Sequence, residues 1–238
     1  MKTKIEIQAQ LDEFYALTLA EAQGSFDKYL DDLSSPFLIS VSEGYLSADV
    51  RIMFIGKETN GWWGCLRKFF QTADSITELK KRYIEQFYRP TGKSRFLRMT
   101  KDLANELADG KRTAICWNNL MKMDWKRGCG FSRTSIGHSP ELFELSIKMV
   151  QYEIDLLKPN VIIFGSGPSY DRAIKAILPE RITKSVDPRA LWHFTSGETQ
   201  CYRTYHPNAR DSSAERPIAH YYGEIIANIK SRHGERIA

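Results

Sequence analysis

Long apolar runs are missing from this sequence. No stretch of its 238 residues approaches the roughly 20 consecutive apolar residues that cross a bilayer. The N-terminus also lacks the basic stretch and apolar core of a secretion signal, so the chain is expected to be soluble and cytoplasmic. Cysteine is sparse as well. Cys65, Cys116, Cys129 and Cys201 are widely separated, and without a C-x-x-C pair the usual zinc and iron–sulfur spacings are absent. Reduced thiols follow. Cys116 lies inside an apolar strand and reads as a small core residue, whereas the other three could still meet in space, which leaves a metal as a minor alternative. Gly165-Ser-Gly-Pro-Ser169 fits neither G-x-x-x-x-G-K-[ST] nor G-x-G-x-x-G, and no G-x-S-x-G elbow occurs, which removes support for nucleotide hydrolysis and serine esterase chemistry. Internal repeats and low-complexity segments are lacking too.

What is present suits one α/β domain spanning residues 1–238: 42% of residues are hydrophobic, enough for a full core at this length. Residues 1–35 read as N-terminal helices packed on that domain. The net charge of +5 is unevenly spread. Lys and Arg less Asp and Glu come to −5 over residues 1–56, +9 over 57–133 and +1 over 134–238. A basic middle third suits a polyanionic partner, although a solvated, charge-mixed helical surface explains the same numbers.

Apolar spacing predicts helices over 5–22, 25–33, 74–88 and 94–109. Ser139-Pro140 opens another as N-cap and first-turn proline, running to about Leu157, and Pro168 opens one ending near Leu178. A final helix is expected over 215–232. Apolar runs ending in glycine or polar residues predict strands over 49–56, 113–118 and 161–165, alternation predicts one over 199–205, and the polar segment through Ser135 reads as a loop. Strand and helix alternate. That order predicts a three-layer α/β/α arrangement around a central four-stranded parallel sheet, with ligands bound beyond the carboxyl ends of the strands.

Polar residues cluster at those ends: Glu58, Thr59 and Asn60 after the first strand, Asn118 and Asn119 after the second, His206 and Asn208 after the last. A carboxylate, an amide and an imidazole on one side of a sheet can activate water, read a base edge and stabilise a departing anion. Gly56 and Gly61 flank Glu58 and favour close approach of backbone to a ligand. Each residue also has a plainer reading, as a solvated carboxylate, a turn-satisfying amide or a buried histidine. Trp62, Trp63, Phe69 and Phe70 could stack on a base or simply close the core. His138, His193, His220 and His233 show no ligand spacing.

Four segments, Phe54-Ile-Gly-Lys-Glu-Thr59, Cys116-Trp-Asn-Asn-Leu-Met-Lys122, Leu157-Lys-Pro-Asn-Val-Ile-Ile-Phe-Gly165 and Tyr205-His-Pro-Asn208, resemble in content and order the landmarks of the uracil-DNA glycosylase superfamily. The likeness runs from about residue 49 to residue 212. It implies that fold and a DNA-repair N-glycosylase, a hydrolase acting on uracil or a related damaged base without a metal or cofactor, as a monomer whose partner is DNA. Carried over residue by residue, Glu58 orients water and His206 stabilises the departing base. Gly56, Lys57, Asn118, Trp62 and Phe70 line the base pocket, with Asn119 as the fallback for Asn118. Pro207, Asn208 and Arg210 meet DNA, and the arginine at the wedge position resembles the single-strand-selective class. Glu58 stands where the family places aspartate or asparagine, and Thr59 where it has proline. These departures suggest an alternative, a nucleic-acid or nucleotide binding module that keeps the fold without the chemistry. A third reading is an enzyme acting on a small non-nucleic substrate.

Overall fold

The computed structural model describes residues 2–88, 94–127, 131–132, 139–211 and 214–237. Its centre is a six-stranded mixed sheet. Four strands, β1 (Ile52–Gly56), β2 (Ile115–Asn119), β5 (Val161–Gly165) and β8 (Thr199–Thr204), lie in the order β2-β1-β5-β8 and are mutually parallel. Two more, β6 (Ile182–Asp187) and β7 (Leu191–Ser196), extend the sheet antiparallel beyond β8. A separate two-stranded ribbon joins β3 (Lys126–Arg127) to β4 (Phe131–Ser132). The expectation of a four-stranded, wholly parallel sheet is therefore corrected to six strands of mixed direction. Within the segment read as a loop through Ser135, the described residues hold that short ribbon; residues 128–130 and 133–138, Cys129 among them, lie outside the described residues.

The helices are α1 (Lys4–Ala22), α2 (Glu43–Leu46), α3 (Leu66–Gln71), α4 (Ser75–Tyr88), α5 (Arg95–Leu107), α6 (Pro140–Leu157), α7 (Asp171–Ile177) and α8 (Ile218–Ile237). The expected helix over 25–33 is a 3₁₀ turn at Gln23–Tyr29. Local chemistry sets the boundaries. Thr3 and Glu6 form a reciprocal capping box at α1, and Ser139 caps α6 ahead of Pro140, as its sequence predicts. None of the described helices is long and apolar enough to cross a membrane.

Register decides what each strand shows to each face. Phe54 pairs with Trp117 and Gly56 with Asn119, so these four side-chain positions share one face, while Met53, Ile55, Cys116 and Asn118 share the other. The first face is covered by α5 and α8: Phe54 stacks on Phe96 of α5 at 4.7 Å between ring centroids and meets Tyr222 of α8 at 6.2 Å. The second face is covered by α6 and α1, through Glu153 and Tyr15. At the β2 edge, the Tyr83 hydroxyl of α4 accepts from the Trp117 N–H at 2.9 Å and donates to its carbonyl at 3.1 Å, occupying the strand's outward-facing backbone groups. The β6 edge carries the exposed side chains of Ile182 and Val186.

Candidate functional site

The parallel strands release their chains on one side, and there a cleft of about 640 Å³ opens among the exits of β1, β2 and β8 and the facing ends of α4 and α5. Lys57, Glu58, Trp62, His206 and Asn208 all line it. Gly56 sits beneath them and is needed there: a Cβ at that position would come within 2.6 Å of Asn119 Oδ1 and 2.8 Å of the Phe96 ring.

The sheet's alternation separates the two asparagines. Asn119 lines the cleft, whereas Asn118 points to the other face and is fully buried. Its Nδ2 donates to Glu153 at 2.7 Å and its Oδ1 accepts from Lys122 at 2.6 Å, with the Asn119 N–H a third partner at 2.8 Å. All of its side-chain oxygen and nitrogen positions are engaged, so the amide that can meet a ligand is that of Asn119. Asn119 Nδ2 is itself buried, without a hydrogen-bond partner among the described residues. Phe70 lies apart from the cleft, half-buried against Phe69 and the core. The ring at the cleft is instead Phe96, joined by Trp117. Pro207 is buried outside the lining, and Arg210 is exposed just beyond Ala209.

Glu58 is pushed up to about 7, first by burial and further by the Asp124 carboxylate, against the opposing pull of a Tyr170 hydrogen bond and the Lys57 charge. The Tyr170 hydroxyl donates to Glu58 Oε2. Burial pushes His206 down to about 4, with the Lys57 charge adding to the effect, so its imidazole is neutral at pH 7. The Asn208 N–H donates to His206 Nδ1 at 3.1 Å. In the neutral ring that leaves the proton on Nε2, where it can be donated to a ligand. The ring lies nearly parallel to Phe96, 22° between planes and 5.7 Å between centroids.

Thr59 has its own partner. Its hydroxyl donates to the fully buried Asp124, whose second oxygen accepts from the Gly61 N–H at 2.9 Å. Ser34 holds Asp124 in turn, donating its backbone N–H to the Asp124 carbonyl at 2.8 Å while its Oγ accepts the Asp124 N–H at 3.0 Å. The β1 exit loop is thus bolted to the β2 exit by a side chain that proline could not supply.

Asp124, Tyr170 and Phe96 escape a reading by motif. Tyr170 follows the third strand exit, whose Gly165-Ser-Gly-Pro sequence matches no phosphate loop, yet exit position alone would have put it beside the others. Asp124 lies in the polar segment after β2, and only the fold brings it to Thr59.

Some of the basic middle third is engaged by the protein itself. Lys122 is fully buried against Glu153, Lys80 pairs with Asp12, Arg82 lies 5.1 Å over the Trp62 ring, and Arg112 bonds the Leu97 carbonyl. Arg95, Arg98 and Lys101 of α5 remain exposed. Among the described residues, no group of three His, Cys, Asp or Glu side chains is arranged to hold a metal ion. No protein-family model matches this chain, and no curated protein matches it.

Proposed function

We propose that the protein is a DNA N-glycosylase of uracil-DNA glycosylase-like fold, hydrolysing the bond between the sugar and uracil or a related damaged base. The observation that carries this reading is the pairing, in one aromatic-walled cleft, of a carboxyl that titrates near neutrality with a neutral imidazole whose Nε2–H is available. Those are the two proton positions that base release needs: an acceptor for the attacking water and a donor to the departing base. The four segments that resemble the superfamily fall on β1, β2, β5 and β8 and their exits, neighbours within the parallel part of the sheet. Asn119 replaces Asn118 as the amide that reads the base. Trp62 and Phe96 supply apolar walls, and exposed Arg95, Arg98 and Lys101 suit a phosphate backbone.

The test is base release from single and double strands carrying uracil, hypoxanthine or xanthine, scored by strand scission at the abasic site. The expected outcome is release by the wild type. Glu58→Gln and His206→Ala should each slow release by roughly 10²–10⁴-fold while DNA affinity stays nearly unchanged. DNA binding without release of any base would favour the binding module, and binding with no salt dependence would favour a non-nucleic substrate.

A further inference from the structure

Tyr170 reaches Glu58 from a different strand exit. After β5 the chain turns at Gly167, with φ 75°, and the Gly167 N–H donates to the Thr204 carbonyl at 2.8 Å, tying the β5 exit to the end of β8. The turn Pro168–Tyr170 then swings the phenol over the β1 exit loop, where its hydroxyl donates to Glu58 Oε2 and Lys57 Nζ sits 5.7 Å from the ring centroid. On the other side, Thr59 and Gly61 are fastened to Asp124. Glu58 is therefore held from both flanks. Oε2 is occupied, and Oε1 has no protein partner among the described residues.

We propose that Tyr170 is a positioning residue for Glu58, committing Oε2 to the phenol so that Oε1 alone exchanges a proton in the cleft. This rests on the reading of the cleft as a site of base release. In that step a water oxygen bonds to the sugar carbon as the carbon–nitrogen bond breaks. The bonding pair leaves with the base, which accepts a hydrogen bond from His206 Nε2, and the water proton passes to Glu58 Oε1. Nothing is oxidised or reduced. Without the phenol the carboxyl can rotate, and either oxygen can face away from the water, a misplacement that position-sensitive catalysis does not tolerate. The hydroxyl also favours the ionised carboxyl against its burial and the Asp124 charge, in concert with Lys57, while neutral His206 adds no charge.

The test compares wild type, Tyr170→Phe and a protein with 3,5-difluorotyrosine at 170, a stronger donor. Two readouts are taken: base release against pH, resolved into kcat and KM, and the carboxyl ¹³C titration of Glu58 in the protein alone, assigned by its loss in Glu58→Gln. For Tyr170→Phe, kcat at pH 7 should fall roughly tenfold to a hundredfold, as expected for a lost hydrogen bond to a charged group, with little change in KM. The titration midpoint should rise. The fluorinated protein should recover kcat and lower the midpoint, and it carries the test by itself if Tyr170→Phe does not fold. An unmoved midpoint, or a loss confined to KM, overturns the assignment. A wild type that releases no base while the midpoints move as expected overturns the glycosylase reading and leaves the Tyr170–Glu58 coupling standing.

Discussion

Burial drives Glu58 and His206 in opposite directions, and both shifts leave a mark on stability. For Glu58 the folded value lies above the ordinary 4.5, so its contribution is complete below that pH and is lost as pH rises toward about 7. For His206 the folded value lies below the ordinary 6.5, so its contribution is present above 6.5 and is lost as pH falls toward about 4. The two oppose each other where they overlap, and single variants separate them. Glu58→Gln should gain on the wild type by on the order of 1–3 kcal/mol between pH 4 and pH 8, and His206→Gln should gain on it as pH falls from 7 to 4, both read by urea denaturation. The asparagines should also part company. Asn118→Ala, which strips partners from buried Lys122 and Glu153, should cost about 1–3 kcal/mol in the same assay. Asn119→Ala removes a buried amide nitrogen that has no partner among the described residues, so stability should change by less than about 1 kcal/mol while affinity for a base-containing ligand falls.

At the scale of elements, the buried Lys122–Glu153 pair joins pieces far apart in sequence. Glu153 of α6 accepts from Lys122 at 2.6 Å, from Asn118 of β2 and, at 2.6 Å, from the Tyr15 hydroxyl of α1. A buried ion pair weakens a fold sharply when one partner is removed. Lys122→Met should therefore cost about 3–5 kcal/mol, and Tyr15→Phe about 1–3 kcal/mol, with a lower Tm in each case. Three of the parallel strands were legible in sequence because each is a short apolar run closed by glycine or a polar exit, β8 because its residues alternate, and α6 because Ser139-Pro140 marks its start. The β6–β7 hairpin was not. Residues 182–186 of β6 are exposed, with no apolar alternation to mark them, and its pairing with β7 is irregular between Thr183 and Ser185. The first-face and second-face roles of Asn118 and Asn119 were equally hidden, because a one-residue difference in register inverts them.

Across the whole molecule, the fold gathers Glu58, Thr59, Asn119 and His206 at the strand exits, and two of them are held by residues distant in sequence. Thr59 is anchored by Asp124, and Glu58, longer than an aspartate, meets the Tyr170 hydroxyl. Net charge overstates the basic surface. Part of the excess over residues 57–133 is taken up by Glu153, Asp12 and a backbone carbonyl, so the exposed surface is less basic than the sequence total implies. Proton transfer at Glu58 is the central step of the proposed reaction. Its most direct test is the single-turnover rate of base release from uracil-containing DNA measured from pH 5 to pH 9. The rate should climb about tenfold per pH unit and level off above about 7, with no further break from His206 in that range, and Glu58→Gln should be slow and flat. A wild-type rate that is independent of pH, or no release at any pH, would contradict it.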